Sequence, residues 1–109
     1  MAETIQSPSQ ADLAAATLTD VYVVPALTRA VVSTITVCNR TTGPIRYRLS
    51  IAVGGAADAP GQYIAYDVIL SSRTTDSWTI GAALGPGDVV RAYAAAVGVS
   101  ANVFKSELT

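Results

Sequence analysis

From Thr17 onward, apolar and polar side chains alternate with a period near two, not 3.6, which predicts half-buried β-strands. Residues 45–53 are the clearest case. Ile45, Tyr47, Leu49, Ile51 and Val53 alternate with Arg46, Arg48, Ser50 and Ala52, as in a strand with one buried and one wet face. Residues 30–39 place Val31, Ile35 and Val37 on one face and Val32, Thr34, Thr36 and Cys38 on the other. In residues 62–70, Ile64, Tyr66, Val68 and Leu70 share the inward face, leaving Tyr63, Ala65, Asp67 and Ile69 outside. Residues 74–80 direct Trp78 and Ile80 inward, and residues 88–95 bury Val90, Ala92 and Ala94 with Arg91 and Tyr93 outside. Residues 17–24 and 99–108 complete about seven strands.

The breakers between these runs are strong. They include Pro25, the stretch from Gly54 to Gly61, and the Gly85-Pro86-Gly87-Asp88 turn. No run shows the period of a helix of ten or more residues. Short one-sided strands with regular turns predict an all-β fold, a two-sheet antiparallel β-sandwich, over residues 17–109. Residues 1–16 lack the alternation and are expected to form a short N-terminal arm. That arm is either frayed or a short helical turn capped near Ser9, or it reaches onto a neighbouring subunit.

Composition sharpens this picture. The chain has 109 residues, enough for one core. Half of them are apolar and only 14% are charged, against about 25% in an ordinary soluble domain. A lone domain this small normally covers itself with Lys and Glu, so part of this surface is expected to meet a partner. Seven basic and eight acidic residues give a net charge of −1 without a basic run, which argues against nucleic acid as a partner. No signal peptide and no membrane span are expected, because no apolar run approaches the roughly 18 residues a span needs.

Candidate chemistry is sparse. The chain has no histidine, the commonest general base and zinc ligand. Its single cysteine, Cys38, has no base partner in sequence and reads as a small buried hydrophobe. Asp67 and Asp76 flank one hairpin and could approach each other, but paired-acid catalysis needs a cleft between them. Asn39-Arg40-Thr41 reads as a turn at a strand end. No catalytic residue, cofactor or metal site is expected. Tyr63 and Tyr93 point outward, with Arg46 and Arg48 beside them, and form the expected interface. A sugar-binding patch is the alternative use of those tyrosines.

Certain strand ends and turns resemble those of a known class of proteins. They are the corner at Val24-Pro25, the end at Val37-Cys38-Asn39, the run from Tyr63 to Asp67, the Gly87-Asp88 turn before Val90-Arg91-Ala92-Tyr93-Ala94, and the Ser106-Glu107-Leu108-Thr109 tail. Together they resemble small structural proteins of tailed-bacteriophage virions. The resemblance covers residues 17–109. It implies a β-sandwich on the virion exterior, in the tail, fibre or neck region or as a capsid decoration, assembled in the bacterial cytoplasm. Its partners would be other copies of the chain and other virion proteins, with a host-surface glycan as a further candidate. It implies no catalytic residues. The chain departs from the pattern after the Val-Pro corner, where a glycine-containing turn is usual and Ala26-Leu27-Thr28 stands instead.

Overall fold

The computed structural model describes residues 3–109. The strands are β1 (Glu3–Ile5), β2 (Ser9–Asp12), β3 (Thr19–Val23), β4 (Arg29–Asn39), β5 (Ile45–Ala52), β6 (Tyr63–Leu70), β7 (Thr75–Leu84), β8 (Val89–Ala94) and β9 (Val99–Leu108). They form two antiparallel sheets packed face to face. One sheet has the order β1-β9-β4-β7, with β2 also on β9, and the other has the order β3-β8-β5-β6. β1 and β2 lie on the same edge of β9, parted at Gln6-Ser7-Pro8, and act as one interrupted strand. Counted so, the strand order is that of an eight-stranded jelly roll.

The segment read as an arm is thus paired within its own chain. Its first two residues, 1 and 2, lie outside the described residues. Glu3 sits opposite Leu108 and Asp12 opposite Ser100, while Leu13 is buried in the core. β9 needs a neighbour on its outer edge, and this tertiary demand overrides the weak strand propensity of Ser9-Gln10-Ala11-Asp12.

The alternation holds along β8, where Val90, Ala92 and Ala94 are buried. Bulges shift it elsewhere. In β4 an extra residue at Ser33 turns Ala30 and Val32 inward before Ile35 and Val37, so Val31 faces out. In β5, Ser50 is buried, and Val53, just past the strand's end, is exposed. The loop 53–62 folds back here, with Gly55 against Val89 and Ala56 O accepting from Arg91. Cys38 is half-buried on the outer side of its sheet, opposite Ser100 and Thr75, and is not a core residue.

Two tyrosines brace the sheets across the core. Tyr22 on β3 donates to Glu107 Oε2 on β9 (2.6 Å). Tyr47 on β5 donates to Asp76 Oδ2 on β7 (2.7 Å) and accepts from Trp78 Nε1 (2.8 Å). Burial first, and then the carboxylate partner, pushes the Tyr47 phenol up to about 12, and the same causes raise Tyr22. The native state therefore holds these protons more tightly than the unfolded chain does. Their stabilisation is complete below about pH 10 and is lost as pH rises through the folded values, by up to about 1.4 kcal/mol per pH unit for each group. Urea melts from about pH 9 upward should show this decline. In Tyr47→Phe the decline should be shallower, and neutral stability should be lower by about 1–2 kcal/mol.

Loops close both ends. At one end Asp88 joins three of them. Its Oδ1 accepts from Gly54 N–H (2.7 Å), its Oδ2 from Gly85 N–H (2.9 Å) and its backbone O from Val24 N–H (2.9 Å). The adjoining turn holds Leu27 in the left-handed region at φ 59°, 92% exposed. Glycine is the residue that adopts this conformation without strain. Leu27→Gly loses no buried contact and relieves the left-handed strain of about 1–2 kcal/mol, partly offset by the flexibility glycine gains when unfolded. A rise of a few degrees in Tm is the expected result.

Candidate functional site

The outer face of the β3-β8-β5-β6 sheet carries most of the chemistry. Its centre is a second bulge. Tyr47 pairs with Val68 and Leu49 with Ala65, so Tyr66 and Asp67 together oppose the single residue Arg48. Asp67 takes φ 51° to make this possible. Short polar residues such as Asp tolerate that conformation better than most. The bulge reverses the expected facing of this stretch: Ala65 is buried, whereas Ile64 and Tyr66 face solvent, Tyr66 being 58% exposed. Tyr66 was expected in the core.

Arg48 organises the cluster. Its Nε donates to Asp67 Oδ1 (2.6 Å) and its Nη2 to Asp67 Oδ2 (3.4 Å). The guanidinium lies over the rings of Tyr66, 4.2 Å from the centroid, and Tyr93, at 4.5 Å. Arg46 Nη1 donates to the Asp67 carbonyl (3.1 Å), so two arginines hold the bulged residue. The Arg48 guanidinium beside Asp67 keeps that carboxyl below the usual carboxylate range, and Asp67 in turn raises Arg48. Tyr63 meets Tyr66 edge to face, with centroids 5.0 Å apart, and donates to Asp58 Oδ1 (2.7 Å). Its phenol is raised, chiefly by burial and next by Asp58.

The four residues singled out from sequence, Arg46, Arg48, Tyr63 and Tyr93, therefore share one face. Tyr63 and Tyr93 are not side by side, because Tyr66 and Arg48 stand between them. Sequence reasoning missed Tyr66 and the roles of Asp58 and Asp67. An aspartate in mid-strand was the available signal. An open groove of about 540 Å³ runs beside the cluster, lined by Arg48, Asp58, Ala59, Pro60, Tyr63 and Tyr66. Asp67 and Asp76 are held apart, Asp67 by Arg48 on the outer face and Asp76 by Tyr47 between the sheets. Among the described residues no three His, Cys, Asp or Glu side chains gather as a metal site would require.

The opposite outer face, on the β1/β2-β9-β4-β7 sheet, is chemically different. Its central cross-strand rows are Gln10-Asn102-Thr36-Ser77, Phe104-Thr34-Thr79 and Ser106-Val31-Ala83. None of these residues is charged. Among the described residues, charged side chains reach this face only at its ends: Asp12, paired with Arg40, at one, and Glu3 and Arg29 at the other. Comparison with known protein families, with characterised proteins and with solved structures gives no match to this chain.

Proposed function

We propose that this chain is a non-enzymatic structural subunit of a tailed-bacteriophage virion, carried on the particle exterior in the tail, fibre or neck region or as a capsid decoration. It associates with copies of itself and with other virion proteins through the charge-free face of the β1/β2-β9-β4-β7 sheet. That face carries the reading. A sheet surface left in water ordinarily bears Lys and Glu, whereas here Thr, Ser, Ala and Phe fill the middle rows. The charges that the chain does have are concentrated on the opposite face and at the ends.

The sheet edges favour stacking of faces over addition of strands. β6 is bulged at Asp67, β7 near Gly81 and β3 near Val21, and the β1/β2 edge is broken at Pro8. Such interruptions blunt an edge against strand pairing. The resemblance in strand ends and turns supplies the virion context. The jelly-roll order, which capsid and lectin domains both use, agrees with it as a fold-level analogy.

Ser77 and Thr79 are exposed on this face, so replacing both with Lys should leave the melting temperature unchanged. It should weaken self-association by about a hundredfold, since each buried charge would lack a partner. Light scattering across a concentration series reads the change, and mass spectrometry of purified particles reads the context. A wild-type chain that stays monomeric throughout and is absent from particles would overturn the proposal.

A further inference from the structure

We propose that the groove between β6 and the loop 53–62 binds a neutral saccharide, with Tyr63 and Tyr66 as aromatic walls and Arg48 and Asp58 as the hydroxyl-binding pair. The site lies on the sheet opposite the charge-free face and does not rest on the assembly reading.

The first ground is the bulge. Strand alternation alone would bury Tyr66. Tyr66 reaches solvent because the bulge puts Asp67 at φ 51°, a left-handed conformation uncommon outside glycine that Asp tolerates better than most residues. Two arginines and a carboxylate hold it there. Bulges that re-aim a side chain, and residues kept strained by their surroundings, are concentrated at binding sites.

The second ground is the chemistry of the lining. A pyranose ring has an apolar C–H face and a rim of hydroxyls that both donate and accept. The C–H face suits the rings of Tyr63 and Tyr66. On the rim side, Arg48 uses Nε and Nη2 on Asp67, while Nη1 has no acceptor among the described residues. Asp58 Oδ1 takes the Tyr63 hydroxyl, and Oδ2 receives no hydrogen bond among the described residues. A preset donor and a preset acceptor thus border one aromatic corner. The local charges of Arg46, Arg48, Asp58 and Asp67 balance, which favours a neutral ligand over an ionic one. A polyproline peptide needs successive aromatic slots along several residues, and this groove is lined by a single aromatic pair, Tyr63 and Tyr66.

The test is an aromatic NMR titration of the intact chain with a panel of neutral mono- and disaccharides, among them methyl glucosides, methyl galactosides, maltose, cellobiose and N-acetylglucosamine, and separately with a decaproline peptide. At least one saccharide should give saturable shifts of the Tyr63 and Tyr66 ring signals. Tyr66→Ala should weaken that binding by about tenfold or more, and Asp58→Asn should weaken it while leaving the spectrum of the fold intact. Val97→Ala, exposed in the loop before β9 and on neither proposed surface, should bind as wild type does. Silence across the whole saccharide panel, shifts that survive Tyr66→Ala, or saturable binding of decaproline alone would each overturn the proposal.

Discussion

Asn39→Asp is expected to destabilise the domain by roughly 3–5 kcal/mol at neutral pH, the scale of leaving a buried charge without a partner. Asn39 is fully buried at the end of β4, and its amide is used completely. Nδ2 donates to Gly43 O (2.9 Å) and to Leu70 O (3.0 Å). Oδ1 accepts from Thr41 N–H (2.9 Å) and from Thr41 Oγ1 (2.7 Å). A carboxylate could keep the second pair but would face two carbonyl oxygens where the amide donated. The expected loss is a large fraction of the stability of a domain this size. Burial beside two carbonyls would raise the new carboxyl's folded pKa above its unfolded value near 4. The penalty should therefore be complete above that raised value and shrink as pH falls through it, because the neutral acid can donate one hydrogen bond. Urea melts near pH 7 and pH 4 would measure both effects. A variant within about 1 kcal/mol of wild type at neutral pH would show that the amide network does not hold this end together.

The other large effect is expected at Gly98, which sits at φ 105°. A Cβ there would fall 2.3 Å from Thr41 Cγ2. Thr41 cannot easily move aside, because its hydroxyl is bonded to Asn39 and to Gly43 O, and Arg40 N–H donates to Gly98 O. Gly98→Ala should thus combine backbone strain with overpacking, for a loss of roughly 3 kcal/mol. Thr41→Ser removes the clashing methyl and keeps the hydroxyl. On that background Gly98→Ala should cost only its backbone strain, about 1–2 kcal/mol. A double-mutant cycle with no coupling between the two positions would contradict this account.

The strands from Thr19 to Leu108 were legible because one face of each is buried, and burial writes itself into the sequence as alternation. What stayed hidden is of two kinds. A bulge inserts a single residue, so the pattern resumes one step out of phase. Ser33 leaves no mark that separates it from an ordinary strand position, and a mid-strand aspartate such as Asp67 is too weak a mark to fix where the phase slips, so alternation alone places Tyr66 inside. β1 and β2 were hidden for a different reason. Their side chains are mostly exposed, and what forms them is backbone pairing with β9, a partner about 90 to 105 positions away that no local pattern reveals. The candidate site was half legible. Arg46 and Arg48 alternate visibly with the core residues of β5, but the residues that turn Arg48 into a clamp come from the bulge.

The pairing of β1 with β9 also decides how the domain carries load. Glu3 and Leu108 are direct partners, so the two ends of the described chain leave the fold at one corner. Tension applied through both ends would open the β1–β9 ladder one hydrogen bond at a time, as a zipper opens, instead of shearing many bonds together. The first yield should occur at low force and free the chain through Pro8, after which the β2–β9 pairs from Ser9 must open in turn. A load entering instead through the charge-free face would be spread over β4, β7 and β9 at once. A domain wired this way yields early to a pull on its two tails.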